Sequence, residues 1–147
     1  MPVLLRTDVD GGDVDESLVY QCGKSLLVLA QKKEFELSIL LTDDATIKNI
    51  NADWRKKDTA TNVLSFPMND DDPINPMLGD IIISMDTAKQ EAAEKQHPLQ
   101  AYIIRLLVHG FVHLLGYDHE ESDEAFDTMR AMENTFLEKL SIDEPGM

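Results

Sequence analysis

The 147 residues carry 13 basic and 28 acidic side chains, a formal net charge of -15, with 43% hydrophobic content. That is enough for one compact core and too little for two ordinary ones, so residues 1–147 read as a single domain. No apolar run reaches the ~18 residues that a membrane-spanning helix needs, and Met1 to Asp8 lacks the basic, apolar, small-residue order of a signal peptide. Cys22, the only cysteine, excludes a disulfide or a thiolate cluster within the chain. The expectation is a cytoplasmic protein with no membrane partner.

Val3 to Thr7 predicts a first strand, and Asp13 with Glu16 makes a capping-box-like start to a helix reaching about Lys33. Leu18, Val19, Leu26, Val28 and Leu29 recur near helical spacing and are expected to cover a sheet, with Cys22 as a small apolar residue of the same helix. Glu36 to Leu41 is a second strand, after which Thr42, Asp43 and Asp44 cap a shorter helix ending near Trp54. Asn62 to Pro67 is a third strand, closed by a proline that belongs at a strand end or an edge.

Met68 to Leu78, with three aspartates and two prolines, is expected to be an exposed loop, and Gly79 to Ser84 returns as a fourth strand. Ser84 caps a helix over Met85 to Gln96. Pro98 opens the next one, which runs to Leu115 with almost no polar face and is therefore the expected central helix. Gly116 suits its left-handed stop, Asp123 to Leu140 forms a last helix with an acidic outer side, and residues 141–147 are expected to be a flexible tail. The alternation defines an α+β class, a mixed four-stranded sheet packed with helices, without repeats or linkers.

Three of the four histidines, His109, His113 and His119, fall within eleven residues on and just after the most apolar helix. Buried imidazoles without partners each cost about 1–3 kcal/mol, and Leu, Val and Phe neighbours offer none. A metal ion satisfies all three. Residues four apart on a helix share a face, so His109 and His113 can hold one ion, and the turn at Gly116 brings His119 back to a third side. A structural zinc site needs a fourth protein ligand, and the candidates Cys22, His97 and Asp118 are weak; three ligands plus water is the catalytic pattern, in which zinc acidifies the water. Metzincin proteases share the His, His, Gly, His order but place a glutamate base after the first histidine, where this chain has Gly110. Nickel, iron or manganese suit imidazoles as well.

The segment His109-Gly-Phe-Val-His113-Leu-Leu-Gly-Tyr-Asp-His119 resembles the signature of the YbeY family, metal-dependent endoribonucleases of bacterial rRNA maturation. Trp54-Arg55-Lys56-Lys57-Asp58-Thr59-Ala60-Thr61-Asn62-Val63-Leu64-Ser65-Phe66-Pro67 looks like its arginine-containing block, and Leu78-Gly79-Asp80-Ile81 like its third block. The resemblance spans roughly residues 36–135. It implies a zincin-like central helix with His109, His113 and His119 as zinc ligands, and Arg55 as the catalytic arginine. It also implies cleavage of single-stranded RNA, small-subunit rRNA three-prime maturation and ribosome quality control, with rRNA precursor and the small subunit or assembly factors as partners and no DNA.

A guanidinium fits that role on physical grounds, since its paired donors match the non-bridging oxygens of a phosphodiester. Thr61, Asn62 and Ser65 divide between substrate contacts and an ordinary strand entry. Asp80 and Asp118 read as groups that orient a histidine or a strand end. Arg55, Lys56, Lys57 and Arg105 would form a local basic patch if they shared a face. The overall acidity opposes nucleic acid, but ten acidic and two basic residues lie between Asp118 and Met147, which confines about half the excess to one end. Two other readings remain: a metalloprotease-like or other zinc hydrolase, and a ribosome-assembly binding factor in which zinc only holds the fold.

Overall fold

The computed structural model describes residues 3–9, 14–56, 61–68, 76–116 and 123–140, with backbone only at Arg55, Asp123, Ala125 and Phe126. The elements in chain order are β1 (Val3–Thr7), α1 (Glu16–Leu29), β2 (Glu36–Thr42), α2 (Asp44–Arg55), β3 (Val63–Pro67), β4 (Met77–Ser84), α3 (Met85–Glu94), α4 (Leu99–Leu114) and α5 (Asp123–Lys139). The strands form a four-stranded sheet in the order β1-β2-β4-β3. β1 and β4 run parallel to β2, and β3 runs antiparallel to β4. The expected α+β class and mixed sheet are therefore what the chain forms.

Period-two alternation decides what each face carries. Val3, Leu37, Ile39, Leu41, Ile81 and Ile83 point to one face and join the main core with α1, α3, α4 and α5. Leu64 and Ile82 point to the other and pack with Ile47 of α2. α4 occupies the centre of the main layer, with ten buried residues between Tyr102 and Leu114.

Asp43 and Ser84 cap α2 and α3, as their sequence context predicts. The Asp43 carboxylate accepts from the Thr46 amide at 2.8 Å, and Ser84 Oγ accepts from the Thr87 amide at 3.2 Å. Ser84 and Thr87 also donate to Asp44, which ties the start of α2 to the start of α3. α1 needs correction at both ends. Its cap is Asp15, accepting from the Leu18 amide at 3.2 Å, while Asp13 lies outside the described residues. Its last residue is Leu29, followed by Gln31 in the left-handed region at φ 59°.

The buried stripe of α1 is Val19, Cys22, Gly23, Leu26 and Leu27, a strict i, i+3, i+4, i+7, i+8 series. Leu18 and Val28, expected on the sheet, are 41% and 61% exposed. The reason is packing distance: a Cβ at Gly23 would stand 3.2 Å from Ile39 Cδ1, so the small residues set the phase of the helix. The loop expected after Met68 is shorter than expected, since β4 begins at Met77 with a bulge opposite Glu36 and Leu37. Residues 69–75 and the expected tail, 141–147, lie outside the described residues. Among the described residues no helix is long and apolar enough to cross a membrane.

Candidate metal centre

The apolar series of α4 fixes which way its polar side chains turn. With Ile103, Ile104, Leu107, Val108, Phe111 and Val112 fully buried, the row Arg105, His109, His113 lies half-buried along one side. The His109 and His113 rings meet edge to face with centroids 4.8 Å apart. Gly116, at φ 102°, follows the helix where a left-handed stop was expected.

Gly110 lies against the sheet, its carbonyl accepting from Ser65 Oγ at 3.1 Å. A Cβ there would come within 2.9 Å of Ile81 Cγ2 and 3.0 Å of Ser65 Oγ. The position that carries a general base in metzincins is thus filled by the sheet, which removes the geometric basis for a protease of that kind. Ser65 is accounted for by the same contact: it fastens β3 to α4.

Behind His109 stands a group that the sequence reading missed. Glu133 Oε1 lies 3.3 Å from His109 Nδ1, and the Glu133 side chain is only 13% exposed. The signal was present, because Met129, Glu133 and Leu137 form an i, i+4, i+8 row whose two ends are buried. A carboxylate in the middle of an inward row needs a partner inside the fold.

His109 also lines a cavity of about 210 Å³ between α3, α4 and α5, with Asn62, Lys95, Arg105, Arg130 and Glu133 on its wall. One side of it is a hydrogen-bonded chain: Tyr102 donates to Glu91 at 2.7 Å and Asn62 Nδ2 donates to Glu91 at 3.0 Å. Burial, and then the bond to Glu91, push the Tyr102 hydroxyl far above its ordinary value, so it stays protonated. Asn62 is held on the cavity wall by this chain.

The remaining expected site residues divide. Arg55 is the last residue of α2, followed by Lys56 as a left-handed cap at φ 60°, but its side chain is not among those described. His119, Asp118 and Lys57 lie outside the described residues. Asp80 pairs with Phe66 in the β3–β4 register, on the face opposite Ile81 and so on the side of the sheet away from α4. Arg105 lines one cavity with Lys95 and Arg130, while the Arg55 side chain and Lys57 of the expected basic patch lie outside what is described.

Among the described residues no three His, Cys, Asp or Glu side chains converge to hold an ion, so the structure displays two of the three expected ligands. Those two suit a transition metal: imidazoles one turn apart on a single face, one of them backed by a carboxylate.

A mixed sheet covered by a central helix that presents paired histidines defines a single α+β domain built around a histidine-bearing helix. The family model described as endoribonuclease YbeY matches residues 12–141, and the chain belongs to that family. Relatives named endoribonuclease YbeY include one from Sinorhizobium fredii, 46% identical over 82% of this chain and 74% of its own length. Another, from Rhizobium etli, is 44% identical over 92% of this chain and 86% of its own. The solution structure of TM1509 from Thermotoga maritima shares the fold, with a TM-score of 0.60, 22% identity and 99% of both chains covered.

Proposed function

We propose that this member of the family is a zinc-dependent endoribonuclease that cuts single-stranded RNA, with residues 1–147 acting as one domain. Its expected setting is the cytoplasm, in three-prime maturation of small-subunit rRNA and in ribosome quality control, with rRNA precursors as substrate and the small subunit or its assembly factors as partners. The observation that carries the reading is the pair His109 and His113 on a buried helix, with Glu133 at Nδ1 of His109. Two imidazoles one turn apart on one helix face can share an ion, and a carboxylate at Nδ1 of one of them is the usual support for such a ligand.

His109, His113 and His119 would hold the ion. When bound it supplies polarisation of a phosphoryl oxygen and acidification of a water. The chain's own groups do the rest. Glu133 faces Nδ1 of His109 and would accept a proton held there, which would leave Nε2 available to an ion. Arg55, at the end of α2, would take the non-bridging oxygens of the scissile phosphate with paired donors, stabilising charge that grows in the transition state. Gly110 and Ser65 hold α4 hard against the sheet, so the two histidines sit on a rigid element.

The test is RNA cleavage by nuclease-free protein with its metal content measured. Metal-dependent cleavage lost in both His113→Ala and Arg55→Ala supports the proposal; cleavage that persists in either variant, or is absent from the loaded wild type, refutes it.

A further inference from the structure

Three of the chain's 13 basic side chains, Lys95, Arg105 and Arg130, converge on the cavity that His109 lines, in a molecule whose net charge is -15. They come from three different elements, α4, α5 and the residue that caps α3, so the convergence is a product of the fold. The acids at the same wall are already committed: Glu91 accepts from Tyr102 and Asn62, and Glu133 faces His109. Among the described residues Lys95 Nζ reaches the Tyr102 hydroxyl, at 3.4 Å, and the face of its ring. Arg105 Nη1 is buried and meets no hydrogen-bond acceptor among the described residues. A buried guanidinium nitrogen without an acceptor is unfavourable, and an anion in the cavity relieves it.

We infer that this cavity is a second phosphate subsite for the RNA chain. Arg105 takes a non-bridging oxygen of a phosphate next to the one at the histidines, and Lys95 and Arg130 supply further positive charge around it. The inference rests on the endoribonuclease reading and names how that site holds its substrate. Arg105 and His109 are four residues apart on one helix face, about 6 Å along the axis, a separation of the same order as that between neighbouring phosphates in a nucleotide chain. An acidic protein thereby gains a local field of the sign RNA requires, directly beside the proposed chemistry.

The test uses the metal-loaded full chain and a short fluorescein-labelled single-stranded RNA, with affinity followed by anisotropy over a range of salt. Arg105→Gln is expected to weaken binding about 10-fold, the loss of one charge-assisted contact, and to reduce the slope of log K against log salt by about 0.7. Arg105→Lys should restore the slope but not the whole affinity, since lysine returns the charge without the fork. In cleavage, KM rises more than kcat falls, as uniform binding requires. Lys95→Gln with Arg130→Gln, both on exposed side chains, gives a second reading that does not depend on the folding of an Arg105 variant. Lys24→Gln on α1 should change nothing.

Unchanged affinity and salt slope in both the Arg105→Gln protein and the double variant, with wild-type binding and cleavage intact, overturn the subsite alone. An equal loss in Lys24→Gln overturns it too, because the effect would then be general charge. A wild type that neither binds nor cuts RNA overturns the endoribonuclease reading, and the subsite with it.

Discussion

At Gly110 two opposing effects can be weighed. Alanine in a helix interior is favoured over glycine by about 1 kcal/mol, but its Cβ would meet Ile81 at 2.9 Å and Ser65 at 3.0 Å, and overpacking of a fixed core costs about 1–3 kcal/mol. Ile81 is β-branched and fully buried, so the clash wins. Gly110→Ala is expected to lower unfolding stability by about 1 kcal/mol in urea titrations, and Gly110→Glu should not yield a folded chain. The absence of a general base after His109 is thus a packing requirement as much as a chemical choice. At Glu133 the expectation concerns affinity. Glu133→Gln should weaken zinc binding about 10–100-fold with the fold intact, as read by competition with a chromophoric chelator; unchanged affinity would show that the carboxylate has no part in holding His109.

Between elements, the contact of α3 with α4 runs through the Tyr102–Glu91–Asn62 chain. Tyr102→Phe removes the donor to Glu91 and is expected to cost about 1–2 kcal/mol at neutral pH. The pH dependence follows from the direction of the shift. Because the folded state holds the Tyr102 hydroxyl protonated far above its ordinary value, its contribution is complete below the unfolded pKa of about 10 and fades as pH rises beyond that. The stability difference between wild type and Tyr102→Phe should therefore narrow in denaturant titrations carried above pH 10; a gap that stays constant would show that the hydroxyl is not shielded. Element starts were readable because a cap is local chemistry: Asp43 and Ser84 bond amides three residues on. The phase of α1 was not, because Gly23 and Cys22 look neutral in a sequence and become the contact surface only when β1 and β2 lie beneath them.

For the whole molecule, an ion bound only by the folded chain stabilises it by mass action. At about 100 times its dissociation constant, zinc should add about 2.7 kcal/mol, or roughly 5–10 °C in Tm for a domain of this size, and a chelator should reverse it. His113→Ala should abolish the shift while leaving the apo protein's Tm nearly unchanged, since His113 is only partly buried at the outer side of α4. The amino-acid sequence by itself determined the element order, the buried character of α4 and the histidine spacing, because period and capping are written in neighbouring residues. It also carried the three motif blocks of the family resemblance, all within the residues 12–141 that the family model matches. Only the tertiary structure decided that Glu133 stands behind His109, that Asp80 faces away from α4, and that Lys95, Arg105 and Arg130 share one cavity. Each of these joins residues far apart in the chain, and their meeting depends on how α3, α4 and α5 pack around the sheet, which no local pattern encodes.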